Sequence, residues 1–132
     1  MHILIVDDWP EIKVQHAIQY LKSKKIDFTY EIVKSYNSAG RYIARHFNEI
    51  DLAIVDLGLP TFDNGESYDK LQGLFVVEMI FRKKISIPVI INSTTEIPNV
   101  EEYFERYTDR NAVIQHVNSL DGEWLIEFIN QL

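Results

Sequence analysis

The sequence predicts an α/β fold in which helices cover both faces of a five-stranded parallel sheet. Short apolar runs alternate five times with longer segments of helical spacing. Consecutive aliphatic residues indicate strands that are buried on both faces, because a strand with one wet face alternates between apolar and polar residues. Right-handed crossovers leave a three-layer, doubly wound sheet of strand order 2-1-3-4-5 as the leading topology.

The five predicted strands are defined mainly by continuous apolar runs. The second strand is different, since Phe28 to Val33 alternates between apolar and polar residues. In chain order, we place the strands at residues 3–6, 28–33, 52–55, 87–91 and 112–117.

Each strand is followed by a segment with the apolar spacing of a helix. Pro10 suits the first turn of the first helix, Asn37 or Ser38 can cap the second, and Asp121 can cap the fifth. The third helix opens at Gly73 and the fourth lies around residues 100–107. The predicted inward-facing residues are Val14, Ala17, Ile18 and Leu21, then Ile43 and Phe47, then Leu74, Val77 and Phe81, and finally Trp124, Leu125, Phe128, Ile129 and Leu132.

Length and composition indicate one cytoplasmic domain that spans residues 1–132. No linker or repeat divides the 132 residues, and no cysteine is present to form a disulfide or to ligate zinc. The net charge is -7 and no basic cluster is longer than Arg82-Lys83-Lys84, which argues against nucleic acid as a direct partner. The N-terminal apolar run meets an acidic pair at once, so we expect no signal peptide, and no run is long enough for a membrane segment.

Acidic residues follow two of the predicted strands at the sheet edge where this topology binds ligands. Asp7 and Asp8 end the first strand and Asp56 ends the third, and the strand order reverses between these two strands. Three converging carboxylates repel one another unless a cation lies among them, and their oxygens suit Mg²⁺. Asp56 could then attack phosphorus, and the Ser93 hydroxyl could bind a phosphoryl oxygen. Taken singly, each of these residues could instead cap a helix or a turn.

The order of these motifs resembles that of receiver domains of two-component response regulators, over the whole chain. The matching pieces are Ile3–Asp8 with Pro10, the run Ile-Val-Asp-Leu-Gly-Leu-Pro at 54–60, Gly73-Leu74, and the run 88–93. The resemblance implies a flavodoxin-like fold, Mg²⁺ binding by the acidic residues, phosphorylation of Asp56 and a switching role for Ser93. It also implies a histidine kinase or phosphotransfer protein as the donor, and a downstream protein partner.

The fifth strand departs from the receiver pattern, which ends in an aromatic residue and then Lys-Pro. Counting from Ala112 places Gln115 at the aromatic position, Asn118 at the lysine and Ser119 at the proline. A shifted register would bring His116 near the site instead, and neither register supplies a lysine. Three carboxylates and one Mg²⁺ leave about one negative charge uncompensated, and a charge pair at about 4 Å is worth roughly 4 kcal/mol at an effective dielectric of about 20. Asn118 could hydrogen-bond the phosphoryl group in place of the lysine.

The loop after Asp56 is longer than in receivers, because residues 61–72 precede the helix-opening Gly73. An ordinary surface insertion is the favoured interpretation, with a lid or a partner contact as the alternative. Trp9 follows the acid pair directly, where it could shield a metal pocket or, as we favour, pack as a core or edge aromatic.

The favoured function is a stand-alone or excised receiver that accepts a phosphoryl group on Asp56. It would act through the surface of the fourth helix, the fifth strand and the fifth helix, which permits a homodimer. The alternative is a degenerate receiver that binds proteins without phosphorylation, as the missing lysine and aromatic residue would suit. A Mg²⁺-dependent phosphohydrolase would need a general acid beside the nucleophile, and Leu57 and Gly58 supply none. We therefore expect at most self-phosphorylation and dephosphorylation, not turnover of a small substrate.

Overall fold

Five parallel strands form one sheet in the order β2-β1-β3-β4-β5, which confirms the predicted topology. This computed structural model describes residues 1–83, 87–108 and 113–132, so Lys84 and the predicted start of the last strand at Ala112 lie outside the described residues. The strands are β1 (His2–Val6), β2 (Thr29–Val33), β3 (Leu52–Val55), β4 (Val89–Asn92) and β5 (Ile114–Val117). The helices are α1 (Pro10–Lys13), α2 (Gln15–Ser23), α3 (Tyr36–His46), α4 (Gln72–Lys83), α5 (Val100–Thr108) and α6 (Gly122–Asn130), with a 3-10 turn at Phe47–Glu49.

The aliphatic strands bury alternate residues on opposite faces of the sheet. Leu4 and Val6 of β1 pack in a core with α3, α4 and α5, whereas Ile3 and Ile5 pack in a second core with α2 and α6. All four side chains are fully buried. This arrangement explains why the strand is apolar at every position, since neither of its faces contacts water.

Most of the predicted inward-facing helix residues are confirmed as core. The buried ones are Val14, Ala17, Ile18, Leu21, Ile43, Val77, Phe81 and Leu125. Phe47 lies in the 3-10 turn instead of α3, although it still packs against the core. The prediction for Leu132 is wrong, because α6 ends at Asn130 and the Leu132 side chain is 55% exposed. None of the described helices is both long and apolar enough to span a bilayer.

The first predicted helix is divided in two at Val14. Its φ of -119° departs from the helical value of about -63°, while its N–H still donates to the Pro10 carbonyl oxygen at 3.0 Å. Val14 remains buried, so the apolar spacing holds across the break. The break makes Lys13 the last residue of α1, near the carboxyl ends of the strands.

The cap of α3 is Ser35, so the prediction of Asn37 or Ser38 is wrong by a few residues. Ser35 Oγ accepts a hydrogen bond from the Ser38 N–H at 3.0 Å, and Ser38 Oγ accepts one from the Ser35 N–H at 3.2 Å. Ser38 therefore completes a reciprocal capping box from inside the helix. The predicted cap of the last helix is confirmed, because Asp121 Oδ2 accepts a hydrogen bond from the Trp124 N–H at 3.3 Å.

Candidate functional site

The acidic cluster lies where β1 and β3 end side by side. Val6 pairs with Val55 in the parallel register, and the Asp56 N–H donates to the Val6 carbonyl oxygen at 2.8 Å. This register brings Asp7, Asp8 and Asp56 together, with one carboxylate oxygen from each within 4.8 Å of the others. Asp7 and Asp56 are buried, whereas Asp8 is exposed. The three carboxylates therefore meet at the strand ends and stay open to solvent on the Asp8 side.

The Asp7 carboxylate is only half satisfied by hydrogen bonds. Its Oδ1 accepts the Trp9 backbone N–H at 2.8 Å, while its buried Oδ2 has no hydrogen-bond partner in the described part of the chain. Burial raises the pKa of Asp7 to about 6, because the Trp9 N–H opposes this only in part and the charge of Asp56 adds to it. Trp9 is 59% exposed, so of the expected core or edge positions the core one is wrong.

Asp56 is paired with a cation that the sequence analysis missed. Lys13 Nζ lies 2.5 Å from Asp56 Oδ2, with the carboxylate buried and the lysine side chain 40% exposed. Burial raises the pKa of Asp56 although the hydrogen bond and charge of Lys13 oppose the shift. Burial acts to lower the pKa of Lys13, but the carboxylate of Asp56 and the charge of Asp7 outweigh it and raise that pKa. Lys13 is therefore a charged partner of Asp56, and only its position shortly after the acid pair could have drawn attention to it.

A cleft of about 420 Å³ opens over Asp56 at the ends of β3, β4 and β5. Ser93 directly follows β4 and is buried, and its Oγ accepts a hydrogen bond from the Thr95 N–H at 3.1 Å. Asn118 and Ser119 follow β5 and line the same cleft. The structure thus brings Ser93 and Asn118 to the cleft that contains Asp56.

The loop at residues 61–72 folds back as a hairpin beside this cleft. Leu59 and Asp69 form an antiparallel bridge with reciprocal backbone hydrogen bonds of 3.2 and 3.1 Å. Tyr68 lines the cleft, and its hydroxyl lies against Gly58, where an added Cβ would be 2.0 Å from the oxygen. The loop therefore forms part of the cleft wall, although most of its residues are exposed. The sequence signals for this were the loop length and its aromatic residues.

Comparisons with known proteins identify the fold. No protein-family model and no curated protein matches the sequence. The chain resembles a CheY-like response regulator receiver domain protein from Methanospirillum hungatei JF-1, with a TM-score of 0.67, 22% identity and coverage of 98% of this chain and 90% of that one. The CheX-CheY-BeF3-Mg complex from Borrelia burgdorferi matches with a TM-score of 0.68 and 18% identity, over 99% and 87% of the two chains. The Mn²⁺-bound form of response regulator Rcp1 matches with a TM-score of 0.65 and 20% identity, over 98% and 89%. This chain has the receiver-domain fold.

The residues that depart from the receiver pattern lie in β5 and directly after it. The parallel register of β4 and β5 places Asn118 at the cleft, as the count along the strand predicts. His116 Nε2 lies 2.9 Å from the backbone oxygen of Ser93, and in the described part of the chain His116 does not line the cleft. Gln115 is exposed and lines a separate groove beside α6. His116 therefore lies near Ser93, whereas Asn118 is the residue that lines the cleft.

The acidic cluster offers the donor set that Mg²⁺ prefers. Three carboxylates supply hard oxygen ligands, and the exposed Asp8 side leaves room for the waters that Mg²⁺ retains. The unpartnered Asp7 Oδ2 is a buried oxygen that a cation would satisfy. Within the described residues, this is the one group of three or more acidic or histidine side chains arranged to hold a metal ion. The residues of the receiver fold therefore fit a divalent cation.

Proposed function

We propose that this chain is the receiver module of a cytoplasmic phosphorelay, which binds Mg²⁺ and accepts a phosphoryl group on Asp56. The observation that carries the proposal is the convergence of Asp7, Asp8 and Asp56 at one sheet edge, where Asp7 keeps a buried oxygen without a partner among the described residues. The shared fold supports it, since one similar structure is a complex with BeF3 and Mg.

The metal would be held by Asp7 Oδ2 together with the carboxylates of Asp8 and Asp56. When bound, Mg²⁺ supplies positive charge that offsets the carboxylates and the phosphoryl oxygens. Because the pKa of Asp7 is about 6, this carboxylate is mostly ionised at neutral pH and is available to a cation. Asp7 thus contributes the buried ligand and Asp8 the solvent-facing one.

Asp56 would act as the nucleophile, which its position in the lining of the cleft supports. One of its oxygens forms a bond to phosphorus while the bond from phosphorus to the imidazole nitrogen of a phosphohistidine breaks, and the imidazole leaves with that electron pair. The donor would be a histidine kinase or a phosphotransfer protein. Ser93 Oγ accepts the Thr95 N–H, so its own O–H remains to donate to a phosphoryl oxygen, and the Asn118 amide would be a second donor.

The output would pass from Ser93 to the surface formed by α5, β5 and α6. The Ser93 N–H donates to the Val117 carbonyl oxygen at 3.0 Å, and His116 Nε2 contacts the Ser93 carbonyl oxygen. A shift of Ser93 toward a phosphoryl group would therefore move β5 with it. A downstream protein or a second copy of this chain would bind that surface.

A phosphorylation-independent binding module is the second candidate function. The observation that favours it is Gln115, which is exposed where receivers carry the aromatic residue of the fifth strand. Such a module would keep its partner surface in one state and would not respond to a phosphoryl mimic.

Tryptophan fluorescence tests the proposed function, because Trp9 lies beside the acid pair and is largely exposed. We expect Mg²⁺ to change the emission and beryllofluoride to change it again. Asp56→Asn should abolish the second change. Trp9→Phe should remove the signal, since Trp124, the second tryptophan, stacks on Phe128 within α6 and does not line the cleft.

The outcomes of this experiment separate the two candidates. A beryllofluoride response that disappears in Asp56→Asn supports the phosphoacceptor. Metal binding without a beryllofluoride response would favour the phosphorylation-independent module. If neither ligand changes the emission and calorimetry also detects no Mg²⁺ binding, the acidic cluster is structural and the proposed function is wrong.

A further inference from the structure

We propose that Lys13 supplies the positive charge that contacts the phosphoryl group on Asp56, from α1 and not from the fifth strand. This inference rests on the proposed function and names the group that replaces the missing lysine. In the receiver pattern the lysine follows the fifth strand, and Asn118 stands there in this chain. Lys13 reaches the same carboxylate from the opposite side of the sheet edge.

The contact of Lys13 with Asp56 is direct. Its Nζ lies 2.5 Å from Asp56 Oδ2, and 43 residues separate the two in sequence. The break at Val14 ends α1 at Lys13, so the side chain is not committed to the face of a longer helix. The fold therefore brings Lys13 to Asp56 through the turn between α1 and α2, a feature that no strand motif predicts.

Lys13 is the cation among the described residues that line the cleft. Of the eleven lining residues, Lys13 is the sole lysine or arginine. Two other basic side chains of this region are engaged elsewhere. Lys34 pairs with Glu11 at 3.8 Å and Arg41 with Asp63 at 3.6 Å, and all four of these side chains are exposed. A phosphoryl group in the cleft would thus meet Lys13 as its nearest fixed cation.

Phosphorylation of Asp56 would leave negative charge beside Lys13, which would keep the lysine at the site. Three carboxylates carry a formal charge of about -3, and Lys13 with Mg²⁺ would bring the total to about zero. Phosphorylation would convert the Asp56 carboxylate into an acyl phosphate, a mixed anhydride that carries a dianionic phosphoryl group. The ammonium therefore remains beside negative charge, now on phosphoryl oxygens, and its half-exposed stem can follow them into the cleft.

Beryllofluoride and Mg²⁺ titrations of Lys13→Met test this inference, with calorimetry as the readout. Methionine keeps the length of the stem and removes the charge. At saturating Mg²⁺ we expect beryllofluoride to bind about 10- to 100-fold more weakly, the loss of one hydrogen bond between charged groups. Mg²⁺ alone should bind at least as tightly as to the wild type, because a competing cation has left the carboxylates. A structural role alone would weaken both ligands together.

Matched variants make the outcome specific. Lys34→Met removes an exposed lysine outside the cleft and should change neither affinity. Lys13→Arg should retain most beryllofluoride binding. Lys13→Met combined with Asn118→Lys should recover it, since residue 118 lines the same cleft and would return the charge from β5.

The results that overturn this inference differ from those that overturn the proposed function. Equal beryllofluoride affinity in Lys13→Met and wild type would overturn the role of Lys13 while the phosphoacceptor stands. A loss that Asn118→Lys does not restore and that Lys13→Arg shares would show that the packing of the Lys13 side chain and not its charge is needed, which also overturns it. No beryllofluoride binding by the wild type would overturn the proposed function, and this inference with it.

Discussion

Replacing Asp7 with asparagine should stabilise the metal-free protein at neutral pH and abolish the proposed Mg²⁺ binding. The Asp7 carboxylate is buried at 1% exposure, close to Asp56, with one oxygen unpartnered among the described side chains. Asparagine has nearly the same shape, and its Oδ1 can still accept the Trp9 N–H. Its amide can donate towards the neighbouring carboxylates, where Asp7 Oδ2 can only repel them.

The size of the effect follows from the pKa of Asp7, which burial raises from 3.8 to about 6. A raised carboxyl pKa stabilises the fold fully below about pH 4, where the group is protonated in both states, and this stability is lost as the pH rises through 6. At pH 7.5 Asp7 is ionised in both the folded and the unfolded state, and its raised pKa then corresponds to about 3 kcal/mol of lost stability. Asp7→Asn should recover most of it, which is on the order of 10 °C in melting temperature for a domain of this size.

Urea unfolding in EDTA at pH 7.5 and at pH 5 measures this directly. We expect the stability of Asp7→Asn to exceed that of the wild type clearly at pH 7.5 and by about half as much at pH 5, with Asp8→Asn as an exposed control from the same cluster. Mg²⁺ should then stabilise the wild type but not Asp7→Asn. A variant no more stable than the wild type at pH 7.5, or an advantage that is as large at pH 5 as at pH 7.5, would refute the reasoning.

Two further predictions concern the framework of the site. Gly73→Ala should cost on the order of 3 kcal/mol and weaken beryllofluoride binding, because the new Cβ would lie 2.0 Å from the backbone oxygen of Asp56. Gly40→Ala in α3, where the nearest atoms are those of the Met79 side chain at 3.5 Å, should be neutral or stabilise by about 0.5–1 kcal/mol in the same urea unfolding; equal losses in both variants would contradict this. Ser35→Ala should cost about 1 kcal/mol through the lost cap, and should speed proteolysis of the 61–72 loop, because Ser35 Oγ also donates to Asp63 at 2.7 Å. Unchanged cleavage would show that this contact does not hold the loop.

The sheet was predictable because its signals are local and redundant. Ile3 to Val6 is apolar at every position, which requires two covered faces, and the two cores supply them. The acids at the ends of β1 and β3 were predictable for a related reason, since parallel strands that are neighbours place their carboxyl ends together. The cap of α3 was predicted from residue type alone, and the prediction was wrong by a few residues. Ser35 and Ser38 are both residue types that cap helices, and they form a reciprocal capping box in which Ser35 is the cap.

The cation and the hairpin could not be predicted, because they depend on contacts between distant residues. Lys13 carries no motif, and its role appears only when α1 ends and the side chain meets Asp56. Tyr68 lies against Gly58 because Leu59 and Asp69 pair across the loop, a bridge that has no signature in the loop sequence. The absence of a lysine at the end of the fifth strand could be recognised from the sequence, but the residue that would replace it could not.

A counter-charge that comes from α1 explains how this chain can keep three acids without a lysine on β5. The Lys13–Asp56 pair lies on the β1 side of β3, whereas Ser93 and Asn118 approach from β4 and β5. A phosphoryl group on Asp56 would be neutralised from one side and hydrogen-bonded from the other. Under the proposed division, the residues after β5 would contribute uncharged groups only, so β5 could follow the hydrogen bonds of Ser93 without having to release an ion pair. Lys13 would then offset the repulsion among the three acids, and the fifth strand would not need the lysine of the receiver pattern.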